Sequence, residues 1–257
     1  EEGCAASGVP LLFWREVPVD PHDLGPAARA CMPTILQAFL GRPDDAEAGD
    51  AFERRLYVCR RTVEKRADAE SALSGKIFYV CSMSSRTIVY KGMLVATQMR
   101  RFFIDLNDAA VTTAVALVHS RYSTNTTPSW ERAHPNRYII HNGEINTLKG
   151  NVNWIRAREP NLYSPVLGAD LERVMPIINR EGSDSAILDN VLEFLVMNGR
   201  SMTRAVSLLI PEPWDHNDAL PEARRAYDAY QSMLMEPWDG PAGILFTGGR
   251  ALGAALR

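Results

Sequence analysis

Two short apolar runs near the middle of the chain are each followed directly by polar side chains. Residues 115–118 precede His119-Ser120-Arg121, and residues 138–140 precede His141-Asn142-Gly143. Short apolar runs that end in polar groups are typical of strands. The sequence therefore predicts two strands that deliver polar side chains to one edge of a sheet.

Further strands are predicted where β-branched and aromatic residues cluster between turn residues. Residues 77–83, with Cys81 in the core, and residues 87–91 flank Ser84-Ser85-Arg86 and predict a hairpin. A second hairpin is predicted at the end of the chain, with Gly248-Gly249 as its turn. The remaining predicted strands are residues 51–63, where apolar residues alternate with Arg, and residues 112–118.

Helices are predicted where apolar residues recur at three- and four-residue spacing. The strongest begins at Gly182-Ser183-Asp184-Ser185 and ends before Gly199, a natural C-terminal cap. A helix over residues 144–158 would place Asn142-Gly143 just before a helix N-terminus, whose partial positive charge favours a developing negative charge. The other predicted helices are residues 65–72, 94–103, 202–209 and 222–235, while residues 27–40 form a helix or an extended connector interrupted by Pro33.

Three positions carry groups suited to a small polar ligand. The Arg121 guanidinium is a planar fork of donors that matches a carboxylate. Asn142 and Gly143 place a side-chain amide beside an unobstructed backbone N–H, a pair that can form an oxyanion hole. Taken alone, however, Asn-Gly between apolar runs is more typical of a type I′ turn. Asp184, taken alone, is a capping or helix-dipole carboxylate.

The composition favours a soluble globular protein. The 257 residues are 46% hydrophobic and 23% charged with a net charge of −3, values that suit one domain with a sizeable core. Lys and Arg are not concentrated in any block, which argues against a nucleic-acid surface. Neither a signal peptide nor an apolar run of about 20 residues is present, so we expect no membrane segment and a cytoplasmic location.

The cysteines and histidines do not have the spacing of metal ligands. Cys4, Cys31, Cys59 and Cys81 lack a Cys-x-x-Cys pair, which argues against zinc and iron–sulfur sites, and we expect four reduced, mostly buried thiols. The five histidines lack the i, i+4 spacing of a helical metal pair. No metal site and no dinucleotide-binding loop are predicted.

Several long motifs, in consistent order, resemble the glutaminase domain of glutamate synthase large subunits. That domain is one of the class II glutamine amidotransferases, which are N-terminal-nucleophile hydrolases. The resemblance covers nearly the whole chain and is far more specific than any single motif. The matching segments are TIVYKGM at 87–93, HSRYSTNT at 119–126, AHP at 133–135, HNGEINTLKGN at 141–151, EGSDS at 181–185 and MEPWDGP at 235–241.

The resemblance implies a single glutamine amidotransferase type 2 domain over residues 1–257. Its fold would be α+β, the four-layer αββα sandwich of the N-terminal-nucleophile hydrolases. The family pattern begins before Glu1 and continues past Arg257, so we expect a fragment truncated at both ends. The open sheet edges of such a fragment would give it marginal stability.

The resemblance also assigns an activity and roles to site residues. The parent enzyme would hydrolyse L-glutamine to glutamate and ammonia, which a synthase domain adds to 2-oxoglutarate. Arg121 would hold the α-carboxylate of glutamine and Asp184 its α-ammonium, while Asn142 and the Gly143 N–H would stabilise the tetrahedral oxyanion. Tyr122 and Thr124 would line the pocket wall.

One departure from the family concerns the nucleophile. The family uses a Cys at the first residue of the mature protein, activated by its own α-amino group. Here residue 1 is Glu, and Cys4 is followed by Ala5-Ala6-Ser7 rather than by a Gly-rich strand. We therefore expect this chain to keep most of the glutamine pocket, to lack the nucleophilic Cys and to be inactive in isolation.

The expected cofactors and partners follow from the same resemblance. FMN and an iron–sulfur cluster are expected in the parent enzyme, and no cofactor in this segment. The partners would be L-glutamine, the synthase domain of the parent chain and a small reductase subunit; the electron donor and the oligomeric state stay open. Two alternatives are another class II amidotransferase, such as an asparagine synthetase or an aminosugar synthase, and a non-catalytic amino-acid-binding domain.

Overall fold

The computed structural model describes residues 1–122 and 127–257, which form two compact units. The first unit is residues 1–135 and the second is residues 136–257. Both contain helices and antiparallel strands, so the chain has the mixture of helix and sheet that was predicted. No helix in the described residues is long and apolar enough to cross a membrane.

The first unit combines a two-stranded sheet with one long helix. Strands β1 (Leu11–Glu16) and β2 (Leu36–Leu40) pair antiparallel. The long helix is α3 (Asp50–Ala69), whose buried residues pack with Cys4 and Val9 in one core cluster. The shorter helices are α1 (Glu2–Ala5), α2 (Pro26–Ala30) and α4 (Met99–Phe102), and 3₁₀ turns lie at Ser71–Leu73, Ala96–Gln98 and Ile104–Asn107.

Helix α3 corrects the prediction of a strand over residues 51–63. Phe52, Leu56, Cys59 and Val63 follow one another at intervals of four, three and four residues, which places them on one helix face. The alternation with Arg was therefore a misread helical period. The surface helix predicted over residues 65–72 is the C-terminal part of α3, which ends at Ala69.

The hairpin predicted over residues 77–91 is wrong, as is the strand predicted over residues 112–118. The structure assigns no strand to either segment, Cys81 is only half-buried, and Val118 is 73% exposed. Strand propensity reflects the fit of a side chain to a paired, half-buried sheet, and neither segment belongs to a sheet of the described residues. The turn is bound instead by a side chain, because Glu53 accepts hydrogen bonds from Ser84 Oγ at 2.8 Å and Ser85 N at 2.8 Å.

Two other predictions for the first unit were right in part. Residues 27–40 divide between the end of α2 and strand β2, with Pro33 in the connection. The helix predicted over residues 94–103 is a 3₁₀ turn followed by the four residues of α4. In both segments the helical pattern is present, but it extends over too few residues to sustain a long helix.

The second unit contains a three-stranded antiparallel sheet in the order β3-β4-β5. The strands are β3 (Ile139–Gly143), β4 (Ala242–Thr247) and β5 (Leu252–Leu256). The hairpin predicted at the end of the chain is confirmed as β4 and β5. Its turn is closed by Thr247, whose Oγ1 accepts from Gly249 N at 3.1 Å and donates to Ala251 O at 2.7 Å.

The described residues of the second unit also contain five α-helices, of which α7 contacts β3. Helix α7 (Asp184–Met197) is confirmed from its predicted start, where Ser183 caps Ala186 N, to Gly199, which has φ +89° just past its end. Helices α8 (Met202–Leu209) and α9 (Glu222–Leu234) are also confirmed. The remaining two are α5 (Leu148–Arg158) and α6 (Leu171–Val174).

Candidate active site

Asn142 and Gly143 are the last two residues of strand β3. They pair with Gly243 and Ala242 of β4 and are both exposed. The interpretation of Asn-Gly as a hairpin turn is therefore wrong, since β3 pairs with a strand about a hundred residues further along the chain. The dipeptide lies instead at an exposed strand end, where its donors are accessible to a ligand.

The backbone N–H of Gly143 points away from β4. In an antiparallel pair, successive residues direct their N–H groups to opposite sides of the strand. Thr247 N donates to Tyr138 O at 2.9 Å and Glu144 N donates to Pro241 O at 2.9 Å, so the even-numbered residues bond to β4. Because β3 is at the edge of its sheet, the ladder leaves the Gly143 N–H available.

The segment after Gly143 packs against the motif that precedes β4. Asn146 N donates to Asp239 O at 2.7 Å, and Asp239 N donates to Thr147 Oγ1 at 2.9 Å. A Cβ on Gly143 would lie 1.9 Å from Pro241 O, and a Cβ on Gly240 would lie 1.8 Å from Glu144 O. Only glycine fits at either position, so the two motifs, HNGEINT and MEPWDGP, depend on each other for their conformation.

Asp184 connects helix α7 to the loop that follows Asn142 and Gly143. Its Oδ2 accepts from Ile145 N at 3.2 Å, and its Oδ1 accepts from Ser185 N at 2.7 Å. The carboxylate is partly exposed at the first residue of α7. The structure therefore brings three predicted site residues, Asn142, Gly143 and Asp184, into one region of the second unit.

The helix N-terminus at this region differs from the predicted one. Helix α5 begins at Leu148, five residues after Gly143, rather than at Glu144. The helix hydrogen-bonded to the loop after Gly143 is α7, through Asp184. The prediction that the helix after Gly143 starts directly behind the donor pair is therefore wrong, because residues 144–147 are used in the contact with residues 239–241.

Asp189, which the sequence analysis did not identify, hydrogen-bonds to the backbone at the start of β3. It is 1% exposed, and it accepts hydrogen bonds from the backbone N–H groups of Arg137, Tyr138 and Ile139 at 2.8–3.1 Å. Burial, and then the nearby charge of Glu193, raise the pKa of Asp189 to about 6 against the opposing effect of Arg137 and the backbone donors. This buried acid fixes the chain where it enters β3.

The sequence did contain a signal that helix α7 makes buried polar contacts. Ser185 and Asp189 lie four residues apart on the face of α7 that also carries Leu192, so two polar residues interrupt an apolar stripe. Both are almost fully buried, at 2% and 1% exposure. Buried polar side chains need hydrogen-bond partners, and such an interruption therefore predicts a specific polar contact.

Arg121 belongs to the first unit and is exposed. Its backbone N donates to His119 Nδ1 at 3.2 Å, and the His119 ring lies 4.3 Å from the ring of His134. In the described part of the chain no ion pair of the Arg121 guanidinium is found. The backbone of Arg121 is held by this hydrogen bond and its side chain is exposed, so the guanidinium is suited to bind an anionic group.

The pocket-wall residues Tyr122 and Thr124 have different outcomes. Tyr122 Oη donates to Gly92 O at 2.9 Å, and burial raises the pKa of Tyr122 to about 12, so the phenol stays neutral. Gly92 itself belongs to the TIVYKGM motif, and a Cβ there would lie 2.4 Å from the Trp130 ring. Thr124 lies outside the described residues.

The cysteines are free thiols in separate surroundings. Cys4 and Cys59 are buried, Cys81 is half-buried and Cys31 is exposed. Cys4 packs in the core against α3, an inaccessible position for a nucleophile. Among residues 1–122 and 127–257, no three His, Cys, Asp or Glu side chains are grouped as metal ligands.

Comparison with known proteins identifies relatives of the whole chain. The sequence pattern of the family described as glutamine amidotransferases class-II matches residues 1–257. The chain is 51% identical over 249 residues to the glutamate synthase [NADPH] large chain of Bacillus subtilis, covering 97% of this chain and 16% of that protein. It is 48% identical over 255 residues to the glutamate synthase [NADH] of Schizosaccharomyces pombe, covering 97% of this chain and 12% of that protein.

A plant relative shows the same relation. The chain is 41% identical over 256 residues to the ferredoxin-dependent chloroplastic glutamate synthase of Spinacia oleracea, covering 98% of this chain and 16% of that protein. The three relatives differ in the electron donor that their names give. The chain thus spans between 12% and 16% of the length of these relatives.

Proposed function

The chain belongs to the class-II glutamine amidotransferases, and from this membership we propose that it is the glutamine-hydrolysing part of a glutamate synthase. It would hydrolyse the side-chain amide of L-glutamine to give glutamate and ammonia. A synthase domain of the parent chain would then add the ammonia to 2-oxoglutarate. One observation carries the proposal: the outward-facing Gly143 N–H, exposed Asn142 and the Asp184 carboxylate lie in one region.

The chemistry of amide hydrolysis accounts for the oxyanion donors. In this family a Cys thiolate, which the present chain is expected to lack, attacks the carboxamide carbon of glutamine, and the attack places negative charge on the former carbonyl oxygen. The Asn142 amide and the Gly143 N–H donate to that oxygen, and donors fixed in advance stabilise the transition state without reorganisation. The strand pairing of β3 and its glycine contacts with residues 239–241 supply that fixation.

The charged residues account for recognition of the amino-acid end. A zwitterionic ligand needs one cationic and one anionic anchor to be both bound and oriented. We assign the α-carboxylate to Arg121 and the α-ammonium to Asp184. Tyr122 is assigned to the pocket wall. Arg121 is supported by its exposed guanidinium and Asp184 by its partial exposure beside the oxyanion donors.

The wider setting of the activity is part of the same proposal. For the fold we propose the four-layer αββα sandwich of the N-terminal-nucleophile hydrolases, and the free thiols are consistent with the reducing cytoplasm. FMN, the iron–sulfur cluster and a small reductase subunit belong to other parts of the parent enzyme. Among the described residues the cysteines of this chain form no group of metal ligands.

The alternatives receive less support. The three relatives reported above are all glutamate synthases, which favours this reaction over that of an asparagine synthetase or an aminosugar synthase. A non-catalytic amino-acid-binding domain would use the same two anchors without hydrolysis. Binding and turnover therefore have to be measured separately on the same protein.

The test is calorimetric titration of L-glutamine into the chain and into its Asp184→Asn variant. Because the variant loses the negative charge opposite the α-ammonium, we expect its affinity for glutamine to fall at least about tenfold. Asp170→Asn is the matched control, since Asp170 also precedes a helix of the second unit and pairs with Arg173. Its affinity should equal that of the unmodified chain.

Two outcomes would count against the proposal. Failure of the unmodified chain to bind glutamine, or equal affinities for the unmodified chain and Asp184→Asn, would overturn the assigned site. Glutamine binding and glutamate release are also measured on the parent chain that carries the nucleophilic Cys, because the present chain is expected to bind glutamine without hydrolysing it. Release that falls about 100-fold in the Asn142→Ala variant of that parent chain supports the oxyanion role. Glutamine binding without release by the parent chain would favour the non-catalytic alternative.

A further inference from the structure

We propose that His141 and Ser185 are positioning residues that orient the Asp184 carboxylate towards the α-ammonium of the substrate. The inference rests on the proposed function and adds two residues to its site. Neither side chain is expected to touch the ligand, because His141 is 3% exposed and Ser185 is 2% exposed. They act through Asp184, which is partly exposed at the start of α7.

The three side chains form a continuous hydrogen-bonded row in the second unit. His141 Nδ1 lies 2.8 Å from Ser185 Oγ. Ser185 Oγ donates to Asp184 Oδ1 at 3.2 Å, and Ser185 N donates to the same oxygen at 2.7 Å. The other carboxylate oxygen accepts from Ile145 N at 3.2 Å. Hydrogen bonds therefore fix the orientation of both carboxylate oxygens of Asp184.

The direction of the protons in this row follows from the single hydrogen of the serine hydroxyl. Because that hydrogen is donated to Asp184, the bond between His141 and Ser185 requires Nδ1 to carry a hydrogen and donate it. A hydroxyl that accepts from an imidazole N–H is a stronger donor to the next group, since hydrogen bonds in a chain polarise one another. His141 therefore strengthens the hold of Ser185 on the carboxylate.

The row also couples Asp184 to the oxyanion donors. His141 directly precedes Asn142 in β3, and its Nε2 lies 3.0 Å from the position that a Cβ on Gly143 would occupy. The contacts run from β3 through His141 and Ser185 to Asp184, and return to the same chain segment at Ile145. A change in His141 or Ser185 therefore alters the carboxylate relative to the donors.

The experiment compares two ligands that differ only at the group Asp184 is proposed to bind. L-glutamine carries the α-ammonium, and 4-carbamoylbutanoate is the same molecule without it. In Ser185→Ala we expect the affinity for L-glutamine to fall about five- to tenfold and that for 4-carbamoylbutanoate to stay unchanged. A general weakening of the structure would lower both affinities together.

A second pair of variants uses the geometry of the histidine. An Asn side chain places an amide near the position of Nδ1, whereas Gln reaches towards Nε2. His141→Asn should therefore retain most of the preference for L-glutamine over 4-carbamoylbutanoate, and His141→Gln should lose it. These variants also keep the test decisive should Ser185→Ala fail to fold. Ser207→Ala is the matched control, since it removes another helical serine hydroxyl bonded within its own helix, to Thr203 O.

The outcomes separate this inference from the proposed function. If the unmodified chain binds L-glutamine in a manner sensitive to Asp184→Asn, the proposed function stands. Equal losses for both ligands in Ser185→Ala, or no loss for either, would then overturn the positioning role alone. If Asp184→Asn has no effect on glutamine affinity, the proposed function itself fails.

Discussion

Asp189 is the residue whose burial has the clearest energetic consequence. Its carboxylate accepts three backbone hydrogen bonds at the entry to β3, yet burial dominates and raises the pKa of Asp189 to about 6. The usual pKa of this side chain is 3.8. The folded chain therefore retains this proton at pH values where the unfolded chain has released it.

Replacing Asp189 by Asn is predicted to change how stability depends on pH. Between about pH 4 and pH 6 the folded state binds more protons than the unfolded state, so this group's contribution to stability falls as the pH rises. A shift of about two pKa units corresponds to about 3 kcal/mol. In Asp189→Asn that fall should be absent, as measured by urea unfolding at pH values from 4 to 7.

The control for this prediction is Asp170→Asn, whose side chain is 44% exposed. Its unfolding free energy should keep the fall between about pH 4 and pH 6, because this substitution leaves the Asp189 carboxyl in place. If Asp189→Asn and the unmodified chain have parallel pH profiles, the buried carboxylate is not protonated in this range.

At the residue scale the sequence suggested candidate site residues but not the buried side chains that hydrogen-bond beside them. Arg121, Asn142, Gly143 and Asp184 were proposed because their donors and charges suit a zwitterionic amide and because the surrounding motifs resemble a family. His141, Ser185 and Asp189 are buried residues whose contacts span about 40 to 50 positions, and such pairings are not encoded in local spacing. The roles of the four candidate residues stay predictions.

Segments 143–147 and 239–241 are joined by backbone contacts that exclude any side chain at two glycines. Gly143→Ala and Gly240→Ala would each place a methyl within 2 Å of a backbone carbonyl oxygen. We expect each variant to lose at least about 2 kcal/mol of unfolding free energy, because backbone on the opposing segment cannot move aside cheaply. Thermal and urea unfolding measure the loss, and glutamine affinity should fall with it.

Gly150→Ala is the matched control for the two glycine variants. Gly150 lies in helix α5, and nothing lies within 4 Å of a Cβ built there. This substitution should be neutral or stabilise the chain by up to about 1 kcal/mol, because Ala is the better helix former. Unfolding free energies of Gly143→Ala or Gly240→Ala close to that of Gly150→Ala would contradict the close contact.

At the element scale, prediction succeeded where a local pattern sufficed. Helix α7 has a side-chain cap, an apolar face and a terminal glycine, and each signal is contained within the helix itself. Residues 77–91 have equally strong strand propensity, but a strand also requires a partner, and propensity does not specify one. Helix α3 was missed because its apolar positions fit two periods over a short window.

On the scale of the whole molecule, strands β1 and β2 together carry a group of exposed aromatic side chains. Phe13 and Phe39 stack with ring centroids 4.3 Å apart, and Phe13 is 53% exposed and Trp14 49% exposed. Exposed apolar patches promote association. We expect the chain to self-associate with rising concentration and Phe13→Ser to reduce this association, as measured by sedimentation velocity.

Tyr163→Ser provides the control for Phe13→Ser. Tyr163 is 84% exposed in the second unit, away from any described strand. Its replacement should leave the sedimentation profile unchanged. If the unmodified chain sediments as a monomer at all concentrations, or if the two variants associate to the same extent, the exposed aromatic side chains of β1 and β2 do not drive association. The prediction that residues 1–257 form a single domain stays a prediction.

The contact between the glycine-containing segments sets an order of events during folding. Thr147 and Asp239 are 92 positions apart, so the loop that joins them must close before the end of strand β3 reaches its final conformation. Helices α7 and α8 are adjacent in sequence and pack on each other, so they can form early, whereas contacts of high sequence separation form slowly. A newly synthesised chain would therefore acquire these helices first, and the final conformation of residues 142–147 only after residue 241 has emerged from the ribosome.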